Sequence, residues 1–375
     1  METLKLVILE NFDQFINLEG EWNKTLNKSK DNNIFSTWEW LYCWWRHFGK
    51  NKQLRIILAT EGDTLIGMAP LMISKYSILK FGNFIKLEFI GTPEADYNNF
   101  ILTKKEGDCL RRFLNYVMTE CDEWDCLELR EIPMESISAN LLESLNAKDF
   151  GGRSITKTTV NVCPYITLPS DMETFFKTLG GSMRRNLRRY MRKLASNYNV
   201  DTKTHASFGT LEEAMDTFFM LHQKRWIAQG RTGVFSKKIY REFHKDVARS
   251  FDKKGWLDLI FLTANNNPIA ALYTFNYQRK KCVYLTGSDP AYFQFRVGNL
   301  LTLQAIERSI KNGLSEFDFM RGDEPYKALW TTKIRTNIMV QVVRKNIYAR
   351  MYRWATNNRH VLSLTRKLGF SLNQH

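Results

Sequence analysis

The chain has 375 residues, enough for two or three domains, and its 44% hydrophobic and 13% aromatic content supports real cores. Only 8 prolines and 20 glycines argue against long disordered tracts. The formal net charge of +15, from 54 Lys plus Arg against 39 Asp plus Glu, favours an anionic partner. Nucleic acid, a membrane surface and a phosphorylated substrate are all anionic, so the net charge does not distinguish among them.

Neither a signal peptide nor a membrane-spanning helix is predicted. The first fifteen residues, METLKLVILENFDQF, contain acids and lack a long apolar core, and no run approaches the ~18 apolar residues that cross a bilayer. The six cysteines form no Cys-x-x-Cys pair, and no histidine lies near Cys121 and Cys126. We therefore expect reduced, mostly buried thiols and no metal. A cytoplasmic protein is expected, with any membrane contact peripheral at the inner face.

Two stretches of the chain resemble each other as β-hairpins. Leu54–Met72 and Leu257–Tyr273 each contain an apolar β-rich run, a polar turn and a second apolar run. The turns fall at Gly62–Asp63 and Asn265–Asn267, residue types that suit tight hairpin turns. Coincidence is the alternative, since hydrophobic hairpins are common, but the recurrence favours two copies of one structural unit.

The elements around each hairpin recur in the same order. A Phe-Ser pair precedes a helical stretch in both halves, with serine as the expected N-cap, and an amphipathic helix and a short strand follow. The paired segments are Phe35–Ser36 with Phe235–Ser236, Thr37–Phe48 with Lys237–Phe251, Asp108–Cys121 with Asn299–Lys311, and Cys126–Arg130 with Glu316–Met320. This order predicts two similar lobes, at residues 1–160 and 196–345.

Residues 161–195 are predicted as a linking strand followed by a basic helix. The helix belongs to the helix-like segment Met172–Leu194. Its cations are Arg184, Arg185, Arg188, Arg189, Arg192 and Lys193, and its apolar stripe is Met183, Leu187, Tyr190, Met191 and Leu194. Such a helix can lie on anionic lipid, grip RNA or steer a phosphorylated precursor. The alternative is a solvated linker helix docked through its stripe. Residues 346–375 are predicted as a basic tail.

The segment Lys281–Asn312 is predicted as a strand, a loop and a helix. Lys281–Leu285 is β-rich, Thr286–Pro290 breaks the strand, and Gly298 opens a helix with a buried apolar face. A helix N-terminus presents unpaired N–H groups and a partial positive charge, and glycine lets a phosphate approach the backbone. With Arg296 assisting, a pyrophosphate fits there. An ordinary strand-to-helix turn is the alternative reading.

Five segments resemble one family. They are Phe35–Gly49, Gly91–Phe100, Leu221–Phe235, Lys281–Asn312 and Phe317–Trp330. In this order they resemble the GNAT acyltransferases of the CelD-like, cellulose-biosynthesis type, which are related to the Fem aminoacyltransferases. The resemblance covers roughly residues 30–345. It implies an α/β (α+β) fold of two tandem GNAT-like lobes, each a mixed, mostly antiparallel sheet flanked by helices.

The resemblance also implies a division of labour between the lobes. Acyl-CoA, acetyl-CoA in the first instance, is expected in the second lobe, and the first lobe is expected to take the acceptor without a second CoA. The implied cofactor-binding residues are Tyr284, Thr286, Gly287, Arg296, Val297, Gly298 and Asn299. One departure is clear, because GNAT proteins usually carry Gln or Arg where this chain has Phe295. Backbone N–H groups and Arg296 must then hold the phosphates, and aminoacyl-tRNA stays open as the donor.

Acyl transfer from a thioester needs a base for the acceptor and a proton for the leaving thiolate. The turn Arg321–Lys327 packs two acids, a phenol and an amine together. Asp323 or Glu324 is a candidate base, Tyr326 a candidate acid and Lys327 a charge clamp. The resemblance places that lysine at the reaction site, and the alternative is a charged surface turn.

The remaining candidates are predicted to bind the acceptor. Asp96 and Tyr97 lie in an apolar neighbourhood, where the alternative is an ordinary loop aspartate. His222, Arg225 and Trp226 share one helical face at spacing i, i+3, i+4, and can grip an anion or simply pack and be solvated. Trp38 belongs to a tryptophan-rich helix that can bind sugar rings but is more often core.

Three hypotheses for the function follow. The first is acyl transfer, N-acetylation in the first instance, from acyl-CoA to an amine or hydroxyl of a cell-envelope or polysaccharide precursor, an anionic or lipid-linked acceptor. The second is Fem-like transfer from aminoacyl-tRNA. The third is a non-catalytic nucleic-acid-binding module that uses the basic helix. Peripheral membrane contact through Arg184–Lys193 is compatible with the first two.

Overall fold

A computed structural model describes residues 4–77, 83–121, 123–146, 148–150, 153 and 155–344. The chain divides into two compact units. Unit 1 comprises Met1–Asn161 with Arg335–His375, and unit 2 comprises Val162–Ile334. The predicted basic tail at 346–375 lies outside the described residues.

The elements of the first half, in chain order, are β1 (Leu4–Leu9), α1 (Phe12–Ile16), α2 (Glu19–Leu26), α3 (Trp38–Phe48), β2 (Lys52–Glu61), β3 (Thr64–Ser77), β4 (Asn83–Phe89), β5 (Ile101–Leu102), α4 (Glu106–Thr119), β6 (Cys126–Pro133) and α5 (Ile137–Ser144). Those of the second half are β7 (Ile155–Thr167), α6 (Met172–Thr178), α7 (Gly181–Ala195), β8 (Val200–Thr204), α8 (Leu211–Ala228), α9 (Lys238–Lys253), β9 (Leu257–Ala264), β10 (Asn267–Tyr277), β11 (Lys280–Ser288), α10 (Val297–Lys311), β12 (Glu316–Asp318) and β13 (Ile334–Val343).

Each unit is built on a sheet of the same plan. The strand order is β1-β2-β3-β4-β6-β13 in unit 1 and β8-β9-β10-β11-β12-β7 in unit 2, while the short β5 pairs with β3. Neighbouring strands run antiparallel except for β4 with β6 and β11 with β12, which are parallel. The predicted architecture, two lobes with mixed, mostly antiparallel sheets and flanking helices, is confirmed.

The last strand of each sheet comes from an unexpected part of the chain. β13 follows unit 2 in sequence but pairs with β6 of unit 1, with Val343 opposite Cys126. The end of β7 pairs with β12, with Thr167 opposite Glu316. Residues 162–195 therefore lie in unit 2 instead of forming a separate linker, and 335–343 lie in unit 1 instead of the second lobe. Strand periodicity shows which residues face a core but not which sheet a strand joins.

The hairpin turns lie where the sequence predicts them. Gly62 has a φ of +57°, and Asn265 and Asn266 have φ of +49° and +67°, the left-handed conformation that these residue types tolerate best. The helix caps differ from the prediction by one residue. Thr37, not the preceding serine, caps α3 by accepting from the N–H of Trp40 at 3.4 Å. In the second half the serine likewise ends a 3₁₀ turn before the cap position.

The basic segment predicted as one helix is two. The chain is extended at Leu179 and Gly180, between α6 and α7. The apolar stripe of α7 then packs into the unit 2 core: Met183, Leu187 and Leu194 are buried with residues of α10 and the sheet. The stripe therefore contributes to the fold, and only the charged face of α7 reaches solvent.

All six cysteines are buried and unpaired with one another, as their spacing predicts. Within the described ranges, every helix is too short or too polar to cross a bilayer.

Candidate functional site

Strands β11 and β12 diverge and leave an opening in the sheet of unit 2. They pair only over Lys280–Cys282 and Glu316–Asp318, yet β11 continues to Ser288 with β10 as its partner. Beyond β12 the chain turns towards β7 instead: the N–H of Phe319 donates to the carbonyl of Pro164, and that of Gly322 to Val162, both at 2.9 Å. We call the space between 283–288 and 319–322 the β11 cleft.

The N-terminus of α10 follows β11 after a six-residue 3₁₀ helix, Pro290–Phe295. Arg296 precedes it with a φ of +52° and no side chain caps the helix. The N–H groups of Asn299 and Leu300 donate to the carbonyl of Arg296 at 2.9 and 3.2 Å. The described residues supply no acceptor for those of Val297 and Gly298, and a Cβ at Gly298 would meet no heavy atom within 4 Å. Two donors, open space and no acid in the first turn suit an anion.

Helix α8 packs closely against β11. Arg225 hydrogen-bonds to the strand, and Gly287 leaves room for the helix backbone. The Arg225 guanidinium donates to the carbonyl of Thr286 at 3.4 Å and to its hydroxyl. A Cβ at Gly287 would lie 2.6 Å from the backbone nitrogen of His222. Gly287 thus permits close helix–strand packing, and Arg225 and Thr286, both predicted from the sequence, lie together beside the β11 cleft.

His222 is 1% exposed and accepts a hydrogen bond from the Trp226 indole N–H at Nε2, 2.9 Å away. Burial, and then the positive charge of Arg225, lower the pKa of His222 to about 4. The imidazole is therefore neutral at pH 7 and carries its proton on Nδ1. In this state it orients Trp226, whose ring lies 6.0 Å from the Arg225 guanidinium and 5.8 Å from that of Arg231.

Arg231 is a further residue of this surface, and its position was not predicted from the sequence. Its backbone N–H donates to the carbonyl of Trp226 at 3.0 Å, so the chain folds back at the end of α8. The signal was Gly230, whose φ of +70° makes that reversal. Arg225, Trp226 and Arg231 together form a cationic and aromatic surface on unit 2.

Lys327 is buried at the centre of the loop after β12. Its Nζ donates to the carbonyls of Met320, Arg321 and Gly322 at 3.1, 2.9 and 3.4 Å, and forms an ion pair with Glu324 at 2.9 Å. An ammonium has three donor hydrogens, and all are engaged here. Lys327 therefore holds the loop in shape, whereas the charge clamp of the sequence analysis would need a donor directed at the substrate.

The other groups of this loop are more accessible. Asp323 is exposed, and the Glu324 side chain is about half exposed. Burial and the negative charge of Glu324 raise the pKa of Tyr326, while Arg225 opposes that shift. Tyr326 is therefore a phenol at neutral pH, able to give a proton.

The last predicted cofactor residue, Tyr284, lies on β11. Its ring packs 5.5 Å from His244 and 5.7 Å from Phe275, measured between ring centroids. Val297 is buried in the core, so only its backbone can reach a ligand. Phe295, at the family's Gln or Arg position, is also buried in that core.

The equivalent opening in unit 1 is filled by the chain itself. β4 pairs with β6 only over Lys86–Glu88. Beyond that point the buried segment 94–100 lies beside β6: the N–H of Asn98 donates to the carbonyl of Glu131 at 2.9 Å, and its amide to Arg130 at 3.3 Å. These side chains occupy the space in unit 1 that corresponds to the β11 cleft of unit 2.

Asp96 and Tyr97 belong to this filling segment. The Asn337 amide donates to the carbonyl of Asp96 at 2.8 Å and to the carboxylate of Glu131 at 3.0 Å, and Arg335 donates to the Tyr97 hydroxyl at 3.4 Å. Both residues are about 5% exposed. The structure thus places them in a buried polar cluster of unit 1, and acceptor binding by them stays a prediction.

Trp38 also takes a packing position. Its indole donates to the carbonyl of Phe15 at 2.9 Å, and its ring stacks on Tyr42 with centroids 4.4 Å apart. At 8% exposure little of the ring is left for a sugar.

Residues 181–328, which contain the β11 cleft and the α10 N-terminus, match the family described as acetyltransferase (GNAT) domain. This match spans most of unit 2 and less than half of the whole chain. The protein is therefore an acyltransferase, and the third hypothesis, a non-catalytic nucleic-acid module, is set aside. GNAT domains generally use acyl-CoA, and the free N–H groups and open Gly298 of this one fit its pyrophosphate.

Solved structures share the fold along most of the chain. FemX has a TM-score of 0.60 at 10% identity, over 86% of this chain and 95% of that one. A conserved protein of unknown function from Bacteroides thetaiotaomicron VPI-5482 has a TM-score of 0.55 at 10% identity, over 91% and 100%. The C-terminal domain of a putative lysylphosphatidylglycerol synthetase from Agrobacterium fabrum has 0.52 at 11%, over 91% and 96%. A comparison with curated proteins found no match.

Proposed function

We propose that this acyltransferase moves an acyl group, acetyl in the first instance, from acyl-CoA to an amine or hydroxyl of a cell-envelope or polysaccharide precursor. The observation that supports CoA as donor is the β11 cleft, which leads to two unsatisfied N–H groups at the start of α10. The acceptor class rests on the CelD-like resemblance of the sequence.

The proposal assigns the donor's phosphates to the N–H groups of Val297 and Gly298, with Arg296 beside them. The edge of β11 from Val283 to Thr286 is suited to an extended amide-bearing chain, because pairing with β12 ends at Cys282. The thioester supplies the electrophilic carbonyl when it is bound.

The loop after β12 supplies the proton transfers in this scheme. Glu324, or the neighbouring Asp323, accepts the proton of the attacking amine or hydroxyl as the new bond to the acyl carbon forms. The Tyr326 phenol, kept protonated by its burial, gives a proton to the thiolate as the carbon–sulfur bond breaks. Lys327 holds these groups in place through the loop carbonyls.

The test is a titration of the full chain with acetyl-CoA and with acetyl-pantetheine, which lacks the nucleotide and its phosphates. We expect thermal stabilisation by acetyl-CoA that grows with ligand concentration, and little by acetyl-pantetheine. Absence of a shift with any acyl-CoA would contradict the proposal.

Fem-like transfer from aminoacyl-tRNA is the second candidate. The fold shared with FemX and the exposed cations of α7 favour it. Binding of tRNA that survives moderate salt and depends on the aminoacyl end would support this donor. Binding of any polyanion that collapses with salt would reflect charge alone.

A further inference from the structure

Helix α7 has a strongly cationic face without acidic partners. The helix contains no acid, and no carboxylate of the described chain is within ion-pair distance of its cations: Arg184, Arg185, Arg188, Arg189, Arg192 and Lys193. On α9, by contrast, Arg249 contacts Glu212 and Asp246 at 2.7 Å each. The unpaired charge of α7 is therefore available to an external anion.

The helix does not present an apolar face to a lipid. Met183, Leu187 and Leu194 are buried against α10 and the sheet. An amphipathic helix that binds a bilayer needs its apolar face free to enter the acyl region. Contacts of α7 with an external ligand are thus made through its guanidinium groups. Phosphate is an anion that guanidinium groups bind well.

The charged face of α7 lies beside Arg296 at the start of α10. Arg189 donates to the Tyr190 hydroxyl at 3.1 Å. That hydrogen bond and the nearby Arg296 lower the pKa of the Tyr190 hydroxyl. Lys193 lies 5.4 Å above the Phe295 ring. Like charges gathered around one neutral oxygen repel each other, so a dianion bound between them would be strongly stabilised.

We propose that Arg189 and Arg296 bind the ribose 3′-phosphate of CoA, so that α7 forms the nucleotide end of the donor site. This inference rests on the proposed function. A phosphate monoester carries about −1.5 to −2 charges at pH 7, which matches two guanidinium groups. Arg296 connects the two phosphate positions, because it precedes the N–H groups of Val297 and Gly298 in the chain.

The experiment compares CoA with dephospho-CoA, which differs only in this phosphate, by calorimetric titration of the full-length chain. The variants are Arg189→Gln and, as a control, Arg188→Gln, which removes the same charge from an exposed site on the same helix. We expect the wild type to bind CoA about 10- to 100-fold more tightly than dephospho-CoA, the range of charge-assisted hydrogen bonds. Arg189→Gln should abolish most of that preference and leave dephospho-CoA binding unchanged, while Arg188→Gln should retain it.

Equal affinity of the wild type for both nucleotides would overturn the inference and leave the proposed function standing. Failure to bind either nucleotide would instead overturn the proposed function. Two controls use vesicles with one-third phosphatidylserine and a mixed-sequence RNA duplex. If either binds, and both variants lose that binding equally without changing the CoA preference, α7 is a general polyanion surface and the inference is wrong.

Discussion

Lys105 and Arg296 take the same place in the two units. Each has a left-handed backbone, with φ of +45° and +52°, and each immediately precedes the helix that follows the central hairpin, α4 or α10. The helices differ in their first turns, where α4 carries Glu106 and Asp108 and α10 carries no acid. Acids at that place stabilise the helix but repel phosphate, so only α10 is suited to a phosphorylated donor.

Gly298→Asp would give α10 the acidic first turn of α4. The added side chain enters open space. Its negative charge is attracted to the partial positive charge of the helix N-terminus, so the free energy of unfolding should stay equal or rise by about 0.3–1 kcal/mol. The affinity for acetyl-CoA should fall at least about tenfold, because a carboxylate would face the pyrophosphate.

The control for that change is Gly298→Ala, which adds a methyl group without charge. It should keep most of the affinity while removing helical glycine flexibility, a gain of about 0.5–1 kcal/mol. Calorimetric titration and urea unfolding measure both quantities. Unaltered CoA affinity in Gly298→Asp would place the phosphates elsewhere.

His222 should make stability depend on pH. Its folded pKa, about 4, lies below the ordinary value of 6.5, so the unfolded chain binds the proton more readily. The stability that neutral His222 gives the folded state is complete above pH 6.5. It is lost as the pH falls towards 4, which lowers the free energy of unfolding by on the order of 3 kcal/mol. His222→Gln should flatten the unfolding free energy between pH 6.5 and 4.

His205→Gln serves as the comparison for this pH effect. His205 lies at the surface beside Asp252, with Nε2 3.0 Å from the carboxylate. In His205→Gln the free energy of unfolding should still fall between pH 6.5 and 4, as it does in the wild type and does not in His222→Gln. A slope that survives in His222→Gln would mean that other groups cause it.

Lys327→Met should impair both folding and turnover. The change leaves three inward-pointing carbonyls and the Glu324 carboxylate without their donor, at a loss of about 2–4 kcal/mol in stability. Glu324→Gln keeps the shape of the loop and should lower kcat by about 100-fold or more if Glu324 is the base, with a small change in Tm. Asp323→Asn distinguishes the two acids, and a folded, fully active Lys327→Met would refute the structural role.

The repeat could be predicted because its signals are local. Glycine and asparagine are the residue types that best tolerate a left-handed backbone, and they occupy the two turns at Gly62 and at Asn265 and Asn266. The pairing of β7 and β13 could not be predicted, since a strand has the same alternation of side chains whichever partner it joins.

The site was predicted unevenly for the same reason. Arg225 and Thr286 were both named from the sequence, but their contact depends on the approach of α8 at Gly287. Lysine is usually solvated, so nothing local indicates that Lys327 is buried. Its environment of carbonyls exists only because Met320 and Gly322, with φ of +58° and +124°, fold the loop around it.

Gly287→Ala tests whether that approach of α8 positions the donor site. The new Cβ would lie 2.6 Å from the His222 nitrogen and 2.9 Å from the Leu221 carbonyl carbon. Both are backbone atoms, so α8 must move away from β11, and we expect a loss of about 1–3 kcal/mol from overpacking. The shift also separates Arg225 from Thr286, so the KM for acetyl-CoA should rise more than kcat falls. Gly298→Ala, at the open glycine, should show neither effect, and a Gly287→Ala enzyme with wild-type KM and Tm would show that the helix and strand tolerate a wider separation.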